Sequence, residues 1–284
     1  MFSDTHFHFK MMTDERGIDG VQVLTTMAQR DCFFGLDIGT RAGDLAGRRL
    51  AVEKCINAMT DSQLAQKARS FMYFTAGIWP DIDSIKDRQN QLKLLRDSVT
   101  PDVIAIGECG LDHHWNPSGA DGRTESDFDE QIYRGERELF EAHIELAREL
   151  GLPVIVHSRD AYQDTLDCIK NIGYDNGIIH CYSYGIEEAR TFLDRGWYIA
   201  LGGGITYTKK SKLEQMEALI RYIPDDRLLT ETDAPYLAPV PFRGQSNTPV
   251  LVEHVFNYIA QVRSISIEAL NQTVDQNIAR LFKI

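Results

Sequence analysis

The sequence predicts an α/β chain folded as a (β/α)8 (TIM) barrel, a single hydrolase-type domain over residues 1–284. Eight short apolar runs alternate with longer stretches of helical period. Ionisable side chains recur at the C-terminal ends of those runs. The rival, an open doubly wound sheet, would place a G-x-G-x-x-G loop after its first strand, and "THFHFKMMTD" has none.

The runs, in order, are "MFSDTHFHF", "CFFGLDIG", "FMYFTAGIW", "VIAIGECGL", "PVIVHS", "GIIHCYS", "WYIALGG" and "RLLTETD". They are short and rich in Val, Ile, Phe and Tyr, as strands buried on both faces should be. Between them the spacing predicts helices over Asp44–Met59, Asp83–Ser98, Glu125–Leu150, Ala161–Ile172, Ile186–Arg195 and Lys212–Tyr222. Two more follow the last strand, near Pro249–Arg263 and Ile267–Phe282. No repeat or low-complexity linker divides the chain.

Composition narrows the function. At 43% hydrophobic and 25% charged residues, the chain reads as an ordinary globular protein. Its five cysteines are odd in number and form no C-x-x-C, which disfavours a disulfide scaffold or zinc ribbon and suits a reducing cytoplasm. No apolar run reaches the roughly 18 residues of a membrane span, and no secretory signal is expected. The net charge of −12 argues against broad electrostatic binding of nucleic acid. An anionic substrate would need a local positive site.

The strand ends supply one. His6 and His8 end the first run, Glu108 the fourth, His157 the fifth, His180 the sixth and Asp233 the eighth. In a barrel this end carries the active site. Strand alternation puts His6 and His8 on one face, with Asp4 on the same face one layer deeper, where it could orient a histidine. Neutral imidazoles with carboxylates suit zinc, manganese, iron(II) or cobalt, with magnesium less favoured. Six ligands exceed the need of one catalytic ion with an open position; they fit two divalent ions, with Glu108 as the natural bridge.

The other candidates read as framework. His113 and His114, in "LDHHWNPSGADGRTESD", are expected to be solvated loop residues; His143 is expected on a helix surface, and His254 at the surface or in helix packing. Alternation turns Cys109 and Cys181 away from the ligands and into the core.

At these residues the chain resembles the TatD-like metal-dependent deoxyribonucleases of the amidohydrolase superfamily. The resemblance rests on "DTHFH", "GECGLD", "VIVHSRDA", "IIHCYS" and "ETDAPYLAPVPFRG", which run in the family order over nearly the whole chain. It implies a two-metal centre and phosphodiester hydrolysis on DNA. One ion would take His6, His8 and Asp233, the other His157 and His180, with Glu108 between them. Where the family usually has "GIHP" this chain has "GIWP", so Trp79 replaces a histidine at the mouth and could either stack on a base or plug the pocket. The segment Thr40–Ser70 and the loop His113–Asp127 look long for the family.

The expected mechanism uses Asp233 to orient a metal-activated water and accept its proton. Arg243, then Arg159, are the expected phosphate contacts. Gly202, Gly203 and Gly204 could add backbone amides, and Lys209, Lys210 and Lys212 positive charge, although the plainer reading of this loop is a flexible turn into a solvated helix start. DNA or another phosphoester is the expected partner, with no membrane, no obligate protein partner and a monomer or weak oligomer. Hydrolysis of a lactone, amide or small phosphoester is the alternative chemistry, and a non-enzymatic binding barrel the third reading.

Overall fold

Closure of the barrel is what assembles this molecule. The computed structural model describes residues 2–117 and 123–284. The chain runs β1 (Asp4–Phe7), α1 (Phe9–Asp14), α2 (Gly20–Gln29), β2 (Gly35–Asp37), α3 (Leu45–Asn57), α4 (Ser62–Phe71) and β3 (Met72–Ala76). It continues through α5 (Ile82–Lys86), α6 (Arg88–Ser98), β4 (Val103–Asp112), α7 (Glu130–Leu150), β5 (Val154–Arg159), α8 (Tyr162–Ile172) and β6 (Gly177–Ile179). Then come α9 (Ile186–Asp194), β7 (Tyr198–Leu201), α10 (Leu213–Tyr222), β8 (Leu228–Thr230), α11 (Val252–Arg263) and α12 (Ile267–Phe282). The eight strands lie in sequence order and pair in parallel from β1 to β8. The predicted (β/α)8 barrel is the fold.

The ring closes past β8. Phe7 bridges Ala234 in parallel, His8 N–H donates to the Ala234 carbonyl (2.7 Å) and Asp233 N–H to that of His6 (2.9 Å). Below, the Thr5 hydroxyl donates to the Thr230 carbonyl at 3.0 Å. Asp4 takes the Thr232 hydroxyl (2.6 Å) and N–H (3.0 Å), and the His6 N–H (3.1 Å). Asp4 therefore acts on backbone and on Thr232, not on an imidazole ring as expected from alternation.

Local signals set the helix ends. Asp61 and Asp129 cap α4 and α7 through their side chains, and Gly151 ends α7 with φ +68°. Two helix predictions need correction. Glu125–Leu150 is a short 3-10 turn, Glu125–Asp127, closed by a Thr124–Asp127 capping box, then α7. Asp83–Ser98 divides at Asp87 into α5 and α6. The predicted Asp44–Met59 helix is α3, and the long segment after it carries a further helix, α4, that was not predicted. Part of the His113–Asp127 loop, residues 118–122, lies outside the described residues.

One irregularity aims a side chain. Ile106 pairs with Val154 and Cys109 with Val156, so β4 spends one residue more than β5 between those partners. This bulge falls at Gly107–Glu108, and bulges re-aim side chains beside sites. Glu108 accordingly sits inside β4 rather than at its end, and the strand runs on to Asp112.

Candidate metal centre

Glu108 is the hub of the site. Its Oε2 lies 3.3 Å from His6 Nε2 and 3.7 Å from His8 Nε2. Its Oε1 lies 3.1 Å from both His157 Nδ1 and His180 Nε2. Each oxygen thus faces a different pair of imidazoles. Asp233 joins the first pair, its Oδ1 3.5 Å from His8 Nε2 and 3.7 Å from His6 Nε2. The His6 and His180 rings stack in parallel, 3.9 Å between centroids. The six residues predicted from strand ends come together around one carboxylate.

Their placement has local causes. His6 lies in β1, and His8 follows it as the N-cap of α1. His157 is in β5, His180 just past β6, and Asp233 in the closing segment after β8. Outer groups fix several rings. The Ile38 carbonyl contacts His8 Nδ1 at 3.3 Å, turning Nε2 inward. Asp112 Oδ2 holds His157 Nε2 at 3.1 Å, turning Nδ1 inward.

The charge balance is that of a dry ionic cluster. Burial opposes charge on Glu108, but His180, His157 and His6 outweigh it and hold the carboxyl well below the usual range. Burial, with His180 beside it, lowers His6. Burial also opposes His180, yet Glu108 and Glu231 hold it well above the usual imidazole value. Burial opposes charge on Asp233 too, but His8 and His6 keep it low.

A divalent metal fits this donor set. Among the described residues, three groups have ligand atoms within 4.8 Å of one another: His6, His8 and Glu108; Glu108, His157 and His180; and His6, His180 and Glu231. Both ring nitrogens of His6, Nδ1 of His180 and Oε2 of Glu231 are buried without a hydrogen-bond partner. Buried polar atoms without partners are costly, and a cation beside the ligand-facing ones relieves that cost.

Above the cluster opens a cavity of about 930 Å3. Trp79, Arg159, Tyr207 and Tyr236 are among its walls, as are Gly202 and Gly204. Trp79 stands edgewise to His157, centroids 5.8 Å apart. Arg159 is exposed on the wall, and the neighbouring Asp160 pairs with His114 Nδ1 (2.7 Å). Arg243 is exposed at the rim, its guanidinium 4.3 Å from the Tyr207 ring centroid, and does not line the cavity. Lys209, Lys210 and Lys212 are exposed beyond the cavity lining.

Three predictions fail here. His143 is fully buried, not on the surface: Nδ1 contacts the Leu139 carbonyl (2.7 Å) and Nε2 accepts the Ile78 N–H (3.1 Å). His113 is not solvated; its Nε2 pairs with buried Glu136 at 3.0 Å. Cys181 is not core but lines the cavity, since its φ of +45° breaks the alternation just after β6. Cys109 is buried as expected, and His254 packs its edge on Phe242.

Two carboxylates were missed. Asp112 backs His157, and Glu231 lies 3.5 Å behind His180 Nδ1. Both share the parity of a named ligand, Asp112 four residues after Glu108 and Glu231 two before Asp233. That parity was the available signal.

The chain also matches known proteins over most of its length. Residues 3–283 match the family described as TatD related DNase. The chain is 35% identical over 287 residues to an uncharacterized metal-dependent hydrolase, YcfH, of Escherichia coli K12, covering 99% of this chain and 95% of that protein. It is 30% identical over 271 residues to a protein of Erwinia billingiae named 3'-5' ssDNA/RNA exonuclease TatD, covering 93% and 98%. The crystal structure of the TatD homologue YJJV from Escherichia coli superposes with a TM-score of 0.74 at 27% identity, covering 100% and 98%. A TatD family hydrolase from Entamoeba histolytica shares the fold, with a TM-score of 0.75 at 20% identity over 99% and 97%. No helix among the described residues is long and apolar enough to cross a membrane. With the family match running from strand β1 into the last residues, and with 35% identity to a metal-dependent hydrolase across nearly the whole chain, this chain belongs to the TatD-related DNase family of metal-dependent hydrolases.

Proposed function

We propose that the protein is a two-metal nuclease that hydrolyses phosphodiester bonds in DNA from a strand end. The observation that carries this reading is the division of Glu108, whose two oxygens each face a different histidine pair. That is the geometry of a bridging carboxylate between two ions. His6, His8 and Asp233 would hold one ion and His157 and His180 the other. Zinc, manganese, iron(II) and cobalt all suit these donors better than magnesium.

When bound, the ions supply a water acidified to near neutral pH and Lewis-acid stabilisation of the phosphoryl oxygens. Asp233 orients the attacking water and accepts its proton, being the least enclosed carboxylate of the cluster, with its side chain 16% exposed. Glu108 and the imidazoles fix where the phosphate sits. Arg159 contacts the phosphate from the cavity wall. Arg243 receives the next phosphate at the rim, and Trp79 stacks on a base. The named activity of the Erwinia billingiae relative supports an exonuclease reading. We place the enzyme in the cytoplasm, where its five free thiols stay reduced, acting without an obligate protein partner as a monomer or weak oligomer.

The test is cleavage of an end-labelled single-stranded DNA oligonucleotide by metal-stripped protein reloaded with manganese or zinc. Single-nucleotide trimming should return with the metal, and Glu108→Ala should abolish it. Substantial activity of Glu108→Ala would defeat the two-ion assignment; lactone or amide turnover without DNA cleavage would defeat the substrate.

A further inference from the structure

Glu231 is a buried carboxylate with too few partners. Its Oε1 accepts the Cys181 N–H at 2.5 Å and lies 3.5 Å from His180 Nδ1. Its Oε2 is buried with no hydrogen-bond partner, and the residue is fully shielded from solvent. Such a charge is expensive to bury unless a positive group answers it. Among the described residues its one ion-pair contact is with His180.

We infer that Glu231 is a positioning residue for the metal centre, its charge 3.5 Å from His180 Nδ1 holding the proton on that nitrogen so that Nε2 faces the ion shared with His157. The inference rests on the two-ion reading above. His180 Nε2 already points at Glu108 Oε1, 3.1 Å away, so its second nitrogen is the one left to be oriented. The oxygen that faces this nitrogen also takes the N–H of the next residue, Cys181. Ring and following backbone are thus set against one atom. A carboxylate behind a ligating imidazole fixes its tautomer and makes it a better donor.

The arrangement is one-sided. Asp112 stands behind His157 as Glu231 stands behind His180. On the other side His8 Nδ1 meets the Ile38 carbonyl, and although Nδ1 of His6 and Nδ1 of His180 both lack a hydrogen-bond partner, among the described residues only that of His180 has a carboxylate at ion-pair distance. The effect of Glu231 therefore falls on one ion. Direct ligation by Glu231 is the competing geometry, since its oxygens lie near ligand atoms of His6 and His180. With His180 Nδ1 as the ligand beside it, His180 would have to surrender its Nδ1 proton while Nε2 still faces Glu108. Positioning leaves that proton in place.

The experiment is a cobalt(II) titration of metal-stripped protein, followed by visible absorption, comparing the wild type with Glu231→Gln. The glutamine oxygen can still accept the Cys181 N–H, so a purely structural role predicts unchanged binding. Positioning predicts that one of two binding steps weakens about 10- to 100-fold while the other stays unchanged. Two unaffected steps, or two equally weakened ones, would overturn the inference. A single step in the wild type would correct the ion count instead; the inference would then stand only if Glu231→Gln and His157→Ala weaken that same step. Should the variant not fold, nitrogen-15 resonances of zinc-loaded wild type decide. Nδ1 of His180 must carry a proton, and a bare or metal-bound Nδ1 would overturn the inference.

Discussion

Asp4 grips Thr232 twice, by hydroxyl and by N–H, across 228 residues of sequence. The same carboxylate takes the His6 N–H, so one fully buried side chain ties β1 to the segment that carries Asp233. Asp4→Ala strands two buried N–H groups, and each costs about 1–3 kcal/mol when unmet. Urea denaturation should show a loss of about 3 kcal/mol. A loss within error of zero would mean that the seam holds without Asp4.

His143 predicts an acid-sensitive framework. Burial pushes its imidazole down from 6.5 to about 4. Between those values the unfolded chain binds the extra proton, so stability rises with pH through that window. Its contribution is complete above 6.5 and is lost as pH falls toward 4. At pH 5 the loss is about 2 kcal/mol relative to neutral pH. His143→Gln cannot titrate and should lose less stability than the wild type between pH 7.5 and 5. Equal acid slopes in urea unfolding would refute this.

Trp79 predicts a dependence on substrate length. It walls the cavity beside His157, where a base next to the scissile phosphate would lie. Stacking of one base is worth about 1–3 kcal/mol, so Trp79→Ala should raise KM for single-stranded DNA about tenfold. KM for a small phosphodiester without a base should not change. A gain of activity on DNA would show instead that the indole obstructs the site.

Metal removal should lower stability as well as activity. An ion that binds only the folded chain stabilises it by about 4 kcal/mol at a thousand times its dissociation constant. For a domain of this size that corresponds to a shift of about 10 °C in Tm. Differential scanning calorimetry with chelator, and again with zinc restored, reads it directly. Coincident transitions would contradict a centre built from buried, unmatched ligand atoms.

The barrel and the clustering of the six residues proposed as ligands were legible because both follow from periodicity. Each of His6, His8, His157, His180 and Asp233 falls within or just beyond an apolar run, and a run of alternating side chains has only two faces. Glu108 was identified for the same reason, but its place inside β4 was not, because one extra residue in a strand leaves no trace in hydropathy. His143 was misread since a polar-looking helix can still bury one polar side chain when the neighbouring backbone offers partners on both sides. Asp112 and Glu231 share the ligands' parity and escaped notice because they act through another residue's ring. The rim was the hardest to read. Arg243 stacks on Tyr207 from a loop whose course depends on β7 and β8 together.

The seam between β1 and the segment after β8 also has a consequence in time. Synthesis on the ribosome releases Glu108, His157 and His180 well before Asp233. Until the segment from Thr230 to Ala234 emerges, β1 has no neighbour on one side, and His6 and His8 lack Asp233. A nascent chain short of this point has half a centre and an open sheet edge, so the capacity to cut arrives in one late event, with the closing of the ring.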